Sequence, residues 1–348
     1  MPKSEPQFII PFAKPSGITS FTSLWQVKHT LGTKKVGHTG TLDSFADGLL
    51  VLLSGKLTKL VPYITDFDKT YRVLFYFGKE TDTLDPEGTV IGEKPLPVYA
   101  DVVSAIRQLT GTIEQVPPVY SAVKQAGERL SDKIRRGEAV SVPPRTVTIY
   151  SIDIEEIFYA PEPDTNRENP EMSAVRKVLG TVLCVRCSKG TYIRSLVRDI
   201  AHRCGSAAYV YALRRTAVGP FTLEQAAGFS ALPPFGNAAA YAVNADSTDT
   251  PSDCADSAAV PHSVPDEAIK QAALPLSEAI ARAMHFQTAV LKEQYYAAFM
   301  NGKPISGHWF TSAQPLSDDG TAAVFYEGRC TGLMTKNGNC FRYEAVFN

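Results

Sequence analysis

A chain of 348 residues with 44% hydrophobic and 20% charged content can bury a large core with a smaller unit beside it, and its apolar content excludes a wholly disordered protein. Its 35 Lys and Arg against 36 Asp and Glu give a formal net charge of -1. A nucleic acid would therefore have to meet a local basic surface rather than a generally basic protein. No apolar run approaches membrane-spanning length, and the start, Met1-Pro2-Lys3-Ser4-Glu5-Pro6, lacks the apolar core of a signal peptide. A cytoplasmic protein with no membrane association is expected. Reduced thiols are expected for the six scattered cysteines. Cys184 and Cys187 make a CxxC in a strand-like run, where positions three apart face opposite ways, which argues against zinc.

In chain order, Phe8-Ile9-Ile10 opens a short strand that ends in a turn set by Pro15 and Gly17. Thr19 or Ser20 can cap a helix in which Phe21, Leu24, Trp25 and Leu31 share one face, with Gly32 as its stop. Lys34 and Lys35 lead into a loop running Gly37-His38-Thr39-Gly40-Thr41-Leu42-Asp43-Ser44-Phe45-Ala46-Asp47-Gly48. The unbroken apolar run Leu49 to Leu53 after it reads as a buried strand. Asp43 thus sits on a tight loop against the core, a costly place for a carboxylate unless it is paired or used. Spacing alone leaves both an Asx turn and a catalytic group open.

Leu57, Leu60, Val61 and Ile64 have helical spacing, and Tyr71, Val73, Phe75 and Phe77 share one strand face. Thr81-Asp82-Thr83-Leu84-Asp85-Pro86-Glu87-Gly88 is an acidic turn. Val102, Val103, Ile106 and Leu109 mark a helix closed by Gly111. Arg129, Lys133, Arg135 and Arg136 form a basic cluster, a candidate phosphate-contact surface. Residues 160–174 read as an exposed insertion. Val182 to Cys187 is a strand leading into a helix with Ile193, Leu196, Val197, Ile200, Ala201 and Cys204 at helical spacing. Arg194 lies in its first turn, where the helix dipole disfavours cations, which calls for a fixed anionic partner. Ala231 to about Ala268 is rich in Ala, Ser, Asp and Pro and reads as a flexible insertion, with order resuming at Leu274. The tail from about Phe286 has short β-rich runs and an Asn337-Gly338 hairpin signal.

The loop around Asp43 resembles the G-H-x-G-[TA]-L-D-P-x-A-x-G signature of the TruB family of tRNA pseudouridine synthases. Lys69-Thr70-Tyr71-Arg72-Val73, Pro117-Pro118-Val119-Tyr120-Ser121-Ala122-Val123-Lys124, Lys189-Gly190-Thr191-Tyr192-Ile193-Arg194 and the run Tyr209 to Thr216 resemble further motifs of that family. The resemblance implies an α+β pseudouridine synthase fold: a central mixed, largely antiparallel sheet flanked by helices, with a small C-terminal PUA-like β domain. It implies a catalytic domain over 1–284, with insertions at about 160–174 and 231–268, and a reduced RNA-binding domain over 286–348. The implied reaction is isomerisation of uridine to pseudouridine at position 55 in the T-loop of tRNA, with no cofactor or metal. Asp43, Tyr71 and Arg194 become the catalytic residues, with Arg194 holding Asp43 charged in a dry pocket. His38, Leu213, Tyr192, Lys14 and Asp85 become substrate contacts. The implied partner is the T-stem-loop of tRNA, not DNA, and the protein is expected to be a monomer. The alternative is an RNA-binding or tRNA-folding module of the same fold with little or no catalysis. An aspartate-nucleophile hydrolase fits less well, because Asp43 lacks a D-x-D partner.

Two departures stand out. Ser44 replaces the family's proline, loosening the restriction proline places on the preceding residue. Asp47 replaces a small or hydroxylated residue, a second carboxylate expected either to perturb Asp43 or to repel phosphates.

Overall fold

Leu49 to Leu53 becomes the middle of a strand buried along its whole length, and the rest of the main sheet is arranged about it. The computed structural model describes residues 5–120, 124–125, 128–129, 136, 142–161, 176–236, 264–311, 316–318, 320–338 and 340–347. Strands β1 (Ile9–Lys14), β2 (Val36–His38) and β3 (Asp47–Ser54) enclose helix α1 (Ser20–Leu31). Next come α2 (Val61–Thr65), β4 (Lys69–Phe77), the β5 (Lys79–Thr81) to β6 (Val90–Glu93) hairpin, α3 (Tyr99–Leu109) and β7 (Gly111–Gln115). A short β8 (Lys124–Gln125) to β9 (Glu128–Arg129) pair precedes β10 (Arg145–Tyr159) and β11 (Val178–Cys187). Helix α4 (Ile193–Arg203) joins these to β12 (Ala208–Val218) and β13 (Phe221–Thr222).

The sheet order is β1-β3-β12-β4-β11-β10-β7, with β2 on β3 and β13 on β12. Every pairing is antiparallel except the short β3–β12 contact. That makes the sheet mixed and largely antiparallel, as the resemblance implies.

Register decides which side chains share a face. Tyr71 lies opposite Arg215 and Val73 opposite Leu213, so these four face one way, while Arg72 and Arg214 face the other. On the first face, α3 and α4 cover Tyr71, Val73, Phe75 and Leu213. Further along the same face, α1 and α5 (Asp266–Ala272) cover Ile10, Phe12, Leu50 and Leu52. On the reverse face, Ile9, Leu49, Val51 and Leu53 form a second cluster.

A second sheet closes that reverse face. After α6 (Glu278–Ala283) come β14 (Gln287–Leu291), α7 (Tyr296–Met300), β15 (Phe310–Thr311), β16 (Thr321–Tyr326), β17 (Arg329–Asn337) and β18 (Cys340–Val346). Their order is β15-β14-β16-β17-β18. One side of this sheet supplies Ala323, Phe325, Leu333, Ala345 and Phe347 to the cluster with Ile9 and Leu49. The other side keeps a core of its own around Phe299, Trp309 and Phe310. The Asn337-Gly338 turn does join β17 to β18, with Gly338 at φ +57.

Two expectations are corrected. Helix α1 buries Ser20, Ser23, Leu24 and Val27, while Phe21 and Trp25 are 72% and 70% exposed. Thr19 caps the helix, and Ser20 is bonded to the Asp43 loop, so the small hydroxyl edge turns inward and the aromatic edge outward. The stretch from Ala231 to Ala268 is also not uniformly irregular. Val264 is buried and α5 starts at Asp266, so the part of the stretch from Val264 on belongs to the fold. Residues 237–263, most of 160–174, Ser121 to Val123, Lys133 and Arg135 lie outside the described residues. The side chain of Arg129 does too, whereas Arg136 is exposed.

Candidate active site

The loop that carries Asp43 is anchored at alternate points. Thr39 donates its backbone N–H to Val51 O at 3.1 Å. Gly40 O accepts from Arg215 Nη2 at 3.1 Å. Leu42 is clamped by Ser20 Oγ, which accepts from Leu42 N at 2.8 Å and donates to Leu42 O at 3.0 Å. Ser44 O accepts from Gly17 N at 2.8 Å and Lys14 Nζ at 3.3 Å. The backbone is therefore fixed on both sides of Asp43, and its carboxylate projects from a rigid base.

That carboxylate meets Arg194. Arg194 Nε lies 2.9 Å from Asp43 Oδ2, and Nη1 lies 2.9 Å from Asp85 Oδ2. Nη1 also donates to Thr83 O and Nη2 to Tyr120 O. The Arg194 side chain is only 5% exposed, so two carboxylates and two carbonyls offset its desolvation. This is the anionic partnership that a first-turn arginine on α4 demands. The dry pocket belongs to the arginine, however. Asp43 itself is 38% exposed, open to an incoming group on the side away from Arg194.

Tyr71 stands beside this pair on β4, its ring in the core with Leu42, Val73 and Leu213. Burial pushes its phenol above the ordinary tyrosine value. The Arg215 guanidinium, which hydrogen-bonds the phenol, opposes that shift, and the Asp43 charge adds to it. Leu213, opposite Val73, continues the apolar wall. His38 ends β2 and is half-buried, and burial with the nearby Arg215 charge lowers its pKa. The geometry joins a half-exposed carboxylate held by a guanidinium, a buried phenol and an apolar wall. Such a set can supply a nucleophile or a base to a flat group packed beside the tyrosine.

Two expected substrate contacts, Lys14 and Asp85, are turned inward instead, and a third, Tyr192, is half-buried. Lys14 is fully buried, and its ammonium donates to Pro15 O, Ile18 O and Ser44 O. Burial lowers its pKa to about 8. Its donors tie the turn at Pro15 and Ile18 to Ser44 of the Asp43 loop. Asp85 is equally enclosed, with Oδ1 accepting from Thr83 Oγ1 and Glu87 N and Oδ2 engaged by Arg194. Burial raises its pKa against the Thr83 hydrogen bond and the Arg194 charge. Tyr192 precedes α4, and its backbone N–H and C=O are both held by the Gln115 amide. That bond fixes where the helix starts, and with it Arg194.

Neither departure disturbs Asp43 directly. Asp47 is buried in a bidentate pair with Arg214, at 2.7 and 2.6 Å, on the reverse face of the sheet. Ser44 Oγ donates to the Glu87 carboxylate at 2.7 Å, so a hydrogen bond to the Asp85 turn takes the place of proline's restriction. Sequence reasoning did not assign Ser20, Gln115 or Arg215. Arg215 left a trace: adjacent arginines in an apolar strand must send one guanidinium to each face, and the inward one needs a structural task. Among the described residues, no group of three or more His, Cys, Asp or Glu is gathered to hold a metal ion.

The fold is that of the pseudouridine synthases. The structure is similar over 98% of its length to 85% of one chain in a crystal structure of a Cbf5–Nop10–Gar1 complex, with a TM-score of 0.60 at 21% identity. The chain belongs to the TruB family. Residues 28–193 match the model of the TruB family pseudouridylate synthase N-terminal domain. The chain is 43% identical over 367 aligned residues to tRNA pseudouridine synthase B of Treponema pallidum strain Nichols, covering 99% of this chain and 98% of that one. It is 41% identical to tRNA pseudouridine synthase B of Treponema denticola, over 97% of both.

Proposed function

We propose that this protein isomerises uridine to pseudouridine in tRNA, at position 55 of the T-loop, with Asp43 as the group that engages the nucleotide. The observation that carries the reading is a carboxylate 2.9 Å from a buried guanidinium yet open on its other side, next to a buried phenol. The N1–C1′ bond breaks, the uracil turns, and C5 bonds to C1′. Attack on the sugar, attack on the base and glycal formation all use an ionised Asp43. Tyr71 stacks on the uracil, and its phenol oxygen accepts the C5 proton as the hydroxyl gives up its own proton to solvent. The chain has the residues that a reaction of this kind uses: an oxyanion held in place, an acid–base phenol and an apolar wall formed by Leu213.

A uridine inside a folded loop must be everted, at a cost of about a few kcal/mol. Stacking on Tyr71, of roughly 1–3 kcal/mol per base, offsets part of this, and His38 props the vacated space. The expected surroundings are the cytoplasm, with the T-stem-loop as partner and the protein acting as a monomer. Release of tritium from 5-labelled uridine in a T-arm RNA tests the reading. The wild-type protein is expected to release it and Asp43→Ala to release none while still binding RNA. Full release by Asp43→Ala would refute the assignment, and no release by the wild type would leave only an RNA-binding module.

A further inference from the structure

Helix α1 exposes what a helix of a folded protein normally hides. Phe21 and Trp25, four residues apart on one edge, are 72% and 70% exposed. The edge is also cationic. Lys28 Nζ lies 5.7 Å from the centroid of the Phe21 ring. The His29 imidazole stacks on Trp25, with centroids 5.6 Å apart and planes 4° from parallel. The helix contains no acidic residue, and Lys34 and Lys35 follow it, both exposed. On the adjoining α5, Asp266 is engaged by the Thr30 hydroxyl and Glu267 lies 3.8 Å from Lys270.

Position completes the argument. Strand register puts α1 on the face of the sheet that carries Tyr71 and Leu213. Its first residue, Ser20, clamps Leu42, the neighbour of Asp43. The stripe from Phe21 to His29 therefore starts at the edge of the Asp43 loop and runs away from it for roughly two turns. Flat rings with cations beside them suit a partner that offers flat bases joined by phosphates. A protein partner would favour an interface core depleted of lysine, whereas here the Lys28 ammonium lies against the Phe21 ring.

The geometry points to the Phe21–Trp25–His29 edge of α1, with Lys28, as a stacking surface for nucleotides of the substrate RNA outside the base pocket. This rests on the RNA-modifying role proposed above and adds a second place of contact to it. Rings of this kind hold an unpaired or terminal base by stacking, while Lys28 meets its phosphate. The surface raises affinity for an RNA long enough to reach it and does nothing to the reacting atoms.

The test compares a full tRNA transcript with a minimal T-arm hairpin. Phe21→Ala and Trp25→Ala are surface changes and are expected to leave thermal unfolding unaltered. Trp25→Ala is expected to raise KM for the full tRNA about tenfold with kcat at saturating RNA unchanged. It should leave the T-arm hairpin little affected, and Trp25→Phe should restore most of the affinity. The chain holds two tryptophans, so the part of the fluorescence lost in Trp25→Phe belongs to Trp25, and saturating tRNA should quench it. An unchanged KM together with unquenched Trp25 emission overturns the proposal. So does a wild-type dimer that Trp25→Ala converts to monomer without altering RNA affinity, since the edge would then bind a second copy. Absence of tritium release by the wild type is a different failure, and it sinks the catalytic reading without touching the binding measurement.

Discussion

Arg194 and Asp85 lie 2.9 Å apart with both side chains 5% exposed, and Asp43 meets the same guanidinium from the solvent side. The arginine is thus neutralised from within before it meets the Asp43 carboxylate. Its position does not depend on Asp43.

Arg194→Met should therefore do two kinds of damage. It leaves Asp85 buried without a cation, a change of about 3–5 kcal/mol read by urea unfolding. Tritium release should fall to background. Asp43→Ala, by contrast, removes only the outer partner and should unfold close to wild type. Equal destabilisation by the two variants would contradict this division.

The Asp47–Arg214 pair on the reverse face makes the opposite prediction. Asp47→Ala strands a largely buried guanidinium and should cost roughly 3–5 kcal/mol in unfolding, yet turnover at a temperature where the variant is folded should stay within about twofold of wild type. If kcat or RNA affinity rose instead, Asp47 would be acting on the phosphates after all.

Gly48 is at φ +108, and a Cβ there would stand 2.4 Å from the backbone oxygen of Arg215. Backbone cannot swing aside as a side-chain end does. Gly48→Ala should lose at least about 1–3 kcal/mol from conformational strain alone. It should also slow turnover, because Arg215 reaches Gly40 O in the catalytic loop and Tyr71. Gly17→Ala is the control: φ is +82, but nothing lies within 4 Å of its added Cβ.

Lys14 gives a pH signature. Burial lowers its pKa to about 8 from an ordinary 10.5, and Lys69, buried nearby, is lowered to about 8 for the same reason. Below pH 8 each lysine is charged folded or unfolded. Between about 8 and 10.5 the unfolded chain holds protons that the folded chain has released, so stability rises with pH across that window. The slope is at most about 1.4 kcal/mol per pH unit per lysine. Urea titrations from pH 7 to 9 should show a rise that is smaller in Lys14→Met and smaller again when Lys69→Met is added. That range lies below the one where the thiols of Cys187, Cys204 and Cys330, pushed up to about 12 by burial, pull stability the other way.

The strands were legible because they are written in local pattern, whereas the roles proposed for Asp43 and Tyr71 came from resemblance to a family. The run Leu49 to Leu53, the alternation from Tyr71 to Phe77 and the misplaced cation at Arg194 each announce a role through their neighbours in sequence. What eluded the sequence depended on contacts across long separations. Ser20 turns the phase of α1 through a bond to Leu42, 22 residues on, which no helical wheel contains. Asp85 and Lys14 look like exposed polar residues until the fold supplies Arg194 and Ser44 O as their partners. Asp47 becomes harmless only when Arg214, 167 residues later, arrives on the same face.

The cluster that unites Ile9 and Leu49 with Ala345 and Phe347 also sets a schedule for birth on the ribosome. The strands β1 and β3 keep part of one oily side uncovered until Ala323 to Phe347 have been translated. Contacts spanning more than 300 residues form slowly and leave a sticky intermediate meanwhile. A nascent chain stalled before residue 320 should therefore recruit chaperones, even though every group that handles the nucleotide has already been made.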